Sequence, residues 1–138
     1  DWGDQLTEEL KHSRTYFDGV TIENMDFRLL AEKYYPRQND CWYLDPPYVV
    51  SKRGDYYYHG FTEKDHEDLK DIADIIDSSG AKFMISYDSD EWIKESYKQY
   101  NIQVVKTKYA GATESREKLF EELLITNYET VTQETLNL

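Results

Sequence analysis

Two consecutive prolines, Pro46 and Pro47, follow the run Cys41-Trp42-Tyr43-Leu44-Asp45. Neither can donate to a strand ladder, so any strand built from Cys41 to Leu44 must stop there. The run itself is short and continuously apolar, as expected of a strand covered on both faces. Asp45 is therefore expected at the carboxyl end of a buried strand. In open α/β sheets, ligands bind at such ends.

The rest of the chain supplies the partners such a strand needs. Residues 4–17 carry Leu6, Leu10 and Phe17 at helical spacing, and Asp18-Gly19 ends the helix. Val20-Thr21-Ile22-Glu23 alternates and reads as a short strand. Asp26 can cap a helix from Phe27 to about Tyr34, which Pro36 stops. Gln38-Asn39-Asp40 is a turn. After the double proline comes a polar, tyrosine-rich loop over 51–60, whose length points to function. Thr62-Glu63-Lys64-Asp65 then opens a helix as a near variant of the capping box. Leu69, Ile72, Ala73 and Ile76 set its apolar face, and Ser79-Gly80 closes it. His66 reads as a helix-surface residue. Lys82 to Tyr87 is another buried strand, and Asp88-Ser89-Asp90 begins a short helix with Trp92, Ile93 and Tyr97. Ile102–Lys108 and Leu123–Tyr128 are the last strands, joined by a polar, partly basic loop over 111–118. The expected fold is a doubly wound α/β domain over 1–128. Its sheet is expected to be mostly parallel with a C-terminal antiparallel hairpin, followed by a tail over 129–138. Asp26, Tyr87 and Asp88 are expected at strand ends beside Asp45.

At 138 residues the chain fits one domain. No apolar run is long enough to span a membrane. The N-terminus lacks the pattern of a signal peptide. The single cysteine, Cys41, excludes an internal disulfide. These features favour a cytoplasmic protein. A net charge of −12 opposes non-specific nucleic-acid binding, which needs Lys and Arg to displace counterions. Any contact with DNA then rests on local basic positions or on a segment outside this chain. The 13 tyrosines suit core and half-buried packing better than base stacking. The chain begins at Asp1 rather than Met, as a fragment would.

Asp45-Pro46-Pro47-Tyr48 also has a chemical reading. The lone pair of adenine N6 is delocalised into the ring, and transfer to it requires acceptors that localise it. The Asp45 carboxylate can accept one N6–H. The Pro46 carbonyl can accept the other, its direction limited by Pro47. Tyr48 can stack on a base turned out of the duplex. Such chemistry needs positioning and electrostatics rather than a nucleophile. A Pro-Pro turn with a capping aspartate is the bland alternative at this point.

The ordered set Gly19-Val20-Thr21-Ile22-Glu23-Asn24-Met25-Asp26-Phe27, Trp42 to Tyr48, Tyr58-His59-Gly60-Phe61-Thr62, Asp65-His66, Ile85 to Ser89 and Glu122 to Tyr128 is more specific. From about Arg14 to Tyr128 the chain resembles the D12-class, Dam-like adenine-N6 DNA methyltransferases. The resemblance implies a Rossmann-like methyltransferase fold, present in part. It implies S-adenosylmethionine as cofactor and double-stranded DNA as partner. Asp26 would accept from the cofactor's amino group, Phe27 would pack on its ring or offer backbone, and Asp45 would lie near both cofactor and target base. For Asp26 a plain N-cap stays open beside that role. The family's glycine-rich turn and target-recognition segment have no match in this chain. It therefore reads as the C-terminal part of an enzyme that needs a further N-terminal segment or complementary chain. DNA contacts are expected from Lys52 and Arg53, and from Arg116 and Lys118, with Lys106 and Lys108 nearby. Each of these also fits a solvated surface charge.

Other functions remain compatible with the residues. N4-cytosine or RNA methylation keeps the transfer chemistry and changes the amine. A non-catalytic acidic remnant or protein-binding module keeps only the fold. A metal nuclease would need Asp26, Asp45 and Asp88 to cluster.

Overall fold

The computed structural model describes residues 7, 15–47, 61–108 and 119–130. Within them lie helices α1 (Phe27–Lys33), α2 (Glu63–Ser78) and α3 (Glu91–Ser96), and strands β1 (Cys41–Leu44), β2 (Lys82–Asp88), β3 (Asn101–Lys108) and β4 (Leu119–Thr126). The strands form one sheet in the order β1-β2-β4-β3.

The pairing corrects the expected sheet. β1 and β2 are parallel, with Leu44 opposite Ile85, but β4 runs antiparallel to both β2 and β3. One parallel pair and two antiparallel pairs replace the mostly parallel arrangement. The cause is the insertion of β4 between β2 and β3: the last strand returns into the sheet instead of extending its edge. The C-terminal antiparallel hairpin is present as expected.

A second correction concerns Val20–Glu23, which forms no strand. Val20 and Ile22 are exposed, and no described strand lies alongside to accept the segment's backbone bonds. Alternation alone does not make a strand without a neighbour. Asp26 consequently does not stand at a strand end. Of the helix expected over 4–17, Thr15–Phe17 is a 3-10 turn, and most of the remainder lies outside the described residues. Gly19 follows it at φ +81°, a left-handed conformation suited to glycine.

α2 shows how the core is built. Thr62 and Asp65 form a complete capping box: the Asp65 amide donates to the Thr62 hydroxyl, and the Thr62 amide donates to the Asp65 carboxylate. His66, Leu69, Ile72, Ala73 and Ile76 then fall on one buried face. Gly80, at φ +80°, turns the chain out of the helix. The α2 face packs on Phe83, Ile85 and Tyr87 of β2 and on Leu123 and Ile125 of β4, with Ile93 and Tyr97 from α3 and its C-terminal turn. Burying each large apolar side chain contributes about 1.5–3 kcal/mol. His66 belongs to this interior and not to the helix surface, with only 4% of its area exposed. The helical spacing that places Leu69 inward also places position 66 inward, and Tyr87 gives the imidazole a polar partner there.

β1 is covered on one face. Trp42 and Leu44 lean onto the core, whereas Cys41 and Tyr43 alternate outward, Tyr43 with 63% exposure. The expectation of cover on both faces fails because α2 and α3 pack on the Phe83 side and no described element covers the other. Among the described residues no helix is long and apolar enough to cross a membrane.

Candidate active site at the carboxyl edge of the sheet

Asp45 follows immediately on β1, and Asp88 is the last residue of β2. The two parallel strands therefore end side by side, as expected from the sequence. Pro46 and Pro47 are half-buried next to them, and the side chain of Asp45 is exposed. Its Oδ1 accepts a hydrogen bond from the Ser86 hydroxyl at 2.9 Å. The Ser86 oxygen lies 3.1 Å from the Tyr43 hydroxyl. Tyr43, Ser86 and Asp45 thus form a line of polar contacts on the open face of the sheet. Sequence patterning does not single out Ser86 or Tyr43. Only the register of β1 against β2 makes them neighbours of Asp45.

Asp26 reaches the same edge by another route. Its carboxylate caps α1 by accepting from the Arg28 amide at 2.9 Å. Its second oxygen takes the Arg28 guanidinium at 3.1 Å. Arg28 also donates through Nε to Asp68 at 2.7 Å and through Nη2 to Asp65. These bonds tie the start of α1 to the first turns of α2. His66, in the same part of α2, is bonded to Tyr87 near the end of β2. The start of α1 is thereby held toward the carboxyl edge. The capping role for Asp26 is realised in the structure. No hydrogen bond or ion pair joins Asp26 to Asp45: Asp26 is engaged by Arg28 and Asp45 by Ser86.

Electrostatics around Arg28 run one way. Hydrogen bonds from Thr62 and then Arg28 hold the Asp65 carboxyl well below its usual range, and Lys64 and Arg28 lower that of Asp68. The guanidinium is pushed up by Asp65 and Asp68. It also sits over the Phe27 ring, 4.4 Å from its centroid. The Phe61 ring lies 5.6 Å away at a tilt. Phe27 is therefore already engaged by a cation and a second aromatic ring.

Tyr48, Lys52, Arg53, Arg116 and Lys118 lie outside the described residues, as do His59 and the loop over 51–60. Lys106 is exposed near the end of β3, in register with Glu121. Among the described residues no three His, Cys, Asp or Glu side chains converge as a metal-binding group, so Asp26, Asp45 and Asp88 do not form one. A groove between α1 and α2 is lined by Arg28, Ala31, Tyr35, Ile72 and Ile75, and Asp45 is not part of it.

A profile of the D12 class N6 adenine-specific DNA methyltransferases matches residues 3–111. The chain is also 33% identical over 116 residues to the type II methyltransferase M1.LlaDCHI of Lactococcus lactis subsp. cremoris. That alignment covers 80% of this chain and 40% of the relative, so the chain spans well under half of the relative's length. The profile match extends through α1, β1, α2, β2, α3 and β3. On a profile match over residues 3–111, the chain belongs to the D12 class N6 adenine-specific DNA methyltransferases.

Proposed function

We propose that this chain carries the base-gripping side of a site-specific DNA adenine-N6 methyltransferase that uses S-adenosylmethionine. The observation that supports it most directly is Asp45. Its exposed carboxylate follows the first parallel strand and has one oxygen held by Ser86. In this reading Oδ2 of Asp45 accepts one hydrogen of adenine N6 and the Pro46 carbonyl accepts the other. Two acceptors on one amine favour a localised lone pair on N6 over its delocalisation into the ring. Tyr48 stacks on the extruded base. Lys52, Arg53, Arg116 and Lys118 meet phosphates.

The residues present fit the cofactor as hydrogen-bond acceptors. The Asp26 carboxylate, with both oxygens engaged by Arg28, would have to share them with the cofactor's amino group, and Asp45 suits an ammonium or amine. Because the Phe27 ring is engaged by Arg28 and Phe61, its backbone is the more available part of that residue. Bound S-adenosylmethionine supplies the electrophilic methyl group. The protein's own contribution is orientation and the acceptance of N6–H hydrogens.

Incubation of the complete enzyme that contains this chain with tritium-labelled S-adenosylmethionine and unmethylated DNA, followed by nucleoside analysis, tests the assignment. N6-methyladenine is the expected product. Asp45→Ala is expected to abolish its formation while the far-ultraviolet circular dichroism stays unchanged. Methylcytosine as the product would remove the adenine assignment, and near-normal turnover by Asp45→Ala would remove Asp45 from the mechanism.

A further inference from the structure

We infer that Ser86 is a positioning residue for Asp45, and that Tyr43 acts through Ser86. The inference rests on the functional reading above. It starts from the strand register. Leu44 lies opposite Ile85 in the parallel pair β1–β2, so Ser86 falls beside position 45 on the face that also carries Tyr43. The Ser86 hydroxyl has one hydrogen, and that hydrogen goes to Asp45 Oδ1 at 2.9 Å. The Tyr43 hydroxyl, 3.1 Å from Ser86 Oγ, must then be the donor in its own contact. The order of donation is Tyr43 to Ser86 to Asp45.

That order has a directional consequence. An exposed aspartate on its own samples several rotamers. A charge-assisted bond to Oδ1 selects one of them. It also leaves Oδ2 as the acceptor that no described side chain occupies. A group that must meet one amine hydrogen at a fixed place needs this kind of selection. The bland alternative is a surface hydrogen-bond chain that only supports the sheet. Tyr43 is 63% exposed and Asp45 is exposed, so such a chain adds little to stability. Orientation is the effect left for it.

The test uses the methyl-transfer assay above, with the modified sites mapped by sequencing the product DNA. Ser86→Ala is expected to lower kcat on the order of 10- to 100-fold, with KM for S-adenosylmethionine changed by less than about two-fold. Ser86→Thr, which keeps the hydroxyl, is expected to restore most of the rate. Tyr43→Phe should lower kcat less than Ser86→Ala. The double variant should be no slower than Ser86→Ala, because Tyr43 has no route to Asp45 except through Ser86.

A second readout needs no turnover. Binding is compared for two duplexes that differ at the mapped position, one with adenine and one with purine, which lacks the amine. The wild-type protein should prefer adenine, Ser86→Ala should narrow the preference, and Ser86→Thr should keep it. A complete wild-type enzyme with neither transfer nor adenine preference would overturn the functional reading and this inference together. Wild-type transfer that is lost in Asp45→Ala but unchanged in Ser86→Ala would overturn this inference alone. An adenine preference that Ser86→Ala leaves intact would do the same.

Discussion

The Nδ1 atom of His66 lies 2.9 Å from the Tyr87 hydroxyl, inside the core between α2 and β2. The rings of Phe61 and Trp92 stand edge-on to the imidazole, at 4.6 and 6.0 Å between centroids. This is a polar contact in an aromatic setting, and it stitches the start of α2 to the end of β2.

Burial pushes the His66 pKa below its ordinary 6.5, against the opposing pull of Asp88, Asp65 and Asp90. The folded state then resists protonation that the unfolded chain accepts. The unfolded state binds more protons in the window below 6.5, so stability falls as pH drops through that window and is level above it. Urea unfolding across about pH 5 to 8 should show this slope, and His66→Gln should flatten it. The lowered carboxyls of Asp65 and Asp68 act in a separate window, below their ordinary 3.8, where acid removes their contribution. An unchanged slope near neutrality in His66→Gln would assign it to other groups.

Asn127 completes the sheet edge with its side chain. Its Oδ1 accepts from the Phe83 amide at 2.9 Å, while its Nδ2 donates to the Ala81 carbonyl at 2.8 Å and to Asp77 at 2.9 Å. Asn127→Ala strands the two backbone groups and should cost about 1–3 kcal/mol. Thermal melting should show a Tm lower by roughly 3–10 °C. Asn127→Asp keeps the acceptor, loses both donations and faces Asp77. It should be at least as destabilised at neutral pH and recover partly in acid.

Thr62 holds the first turn of α2 through the capping box. Thr62→Ala should cost about 0.5–2 kcal/mol, and Thr62→Ser should retain most of the stability. Hydrogen exchange reads the effect locally. The Asp65 amide, which donates to Thr62 Oγ1, should exchange faster in Thr62→Ala and near the wild-type rate in Thr62→Ser. Equal protection in all three proteins would mean that Arg28, rather than the cap, holds the turn.

Much of the local structure was legible in the residues. Asp26 and Thr62 as caps, Gly80 as the stop of α2 and the helical face Leu69-Ile72-Ala73-Ile76 all follow from short-range chemistry. The same holds for β1 and its end at Pro46. The strand expected over Val20–Glu23 was misread because its alternation carries no information about a pairing partner. His66 was misread because a polar residue at a core position looks like a surface one until its partner is known.

The sequence by itself determined most of the described helices and strands, the caps of α1 and α2, and the family. These depend on neighbours a few residues apart or on residue identity. Only the tertiary structure decided that β4 enters between β2 and β3, that His66 faces Tyr87, and that Ser86 bonds to Asp45. The β2–β4 pairing, the His66–Tyr87 contact and the Ser86–Asp45 bond each join residues 21 or more apart in the chain, and none leaves a periodic trace. Side-chain periodicity reports which face a residue occupies. It does not report which strand lies alongside, and that neighbour is what orients the Asp45 carboxylate.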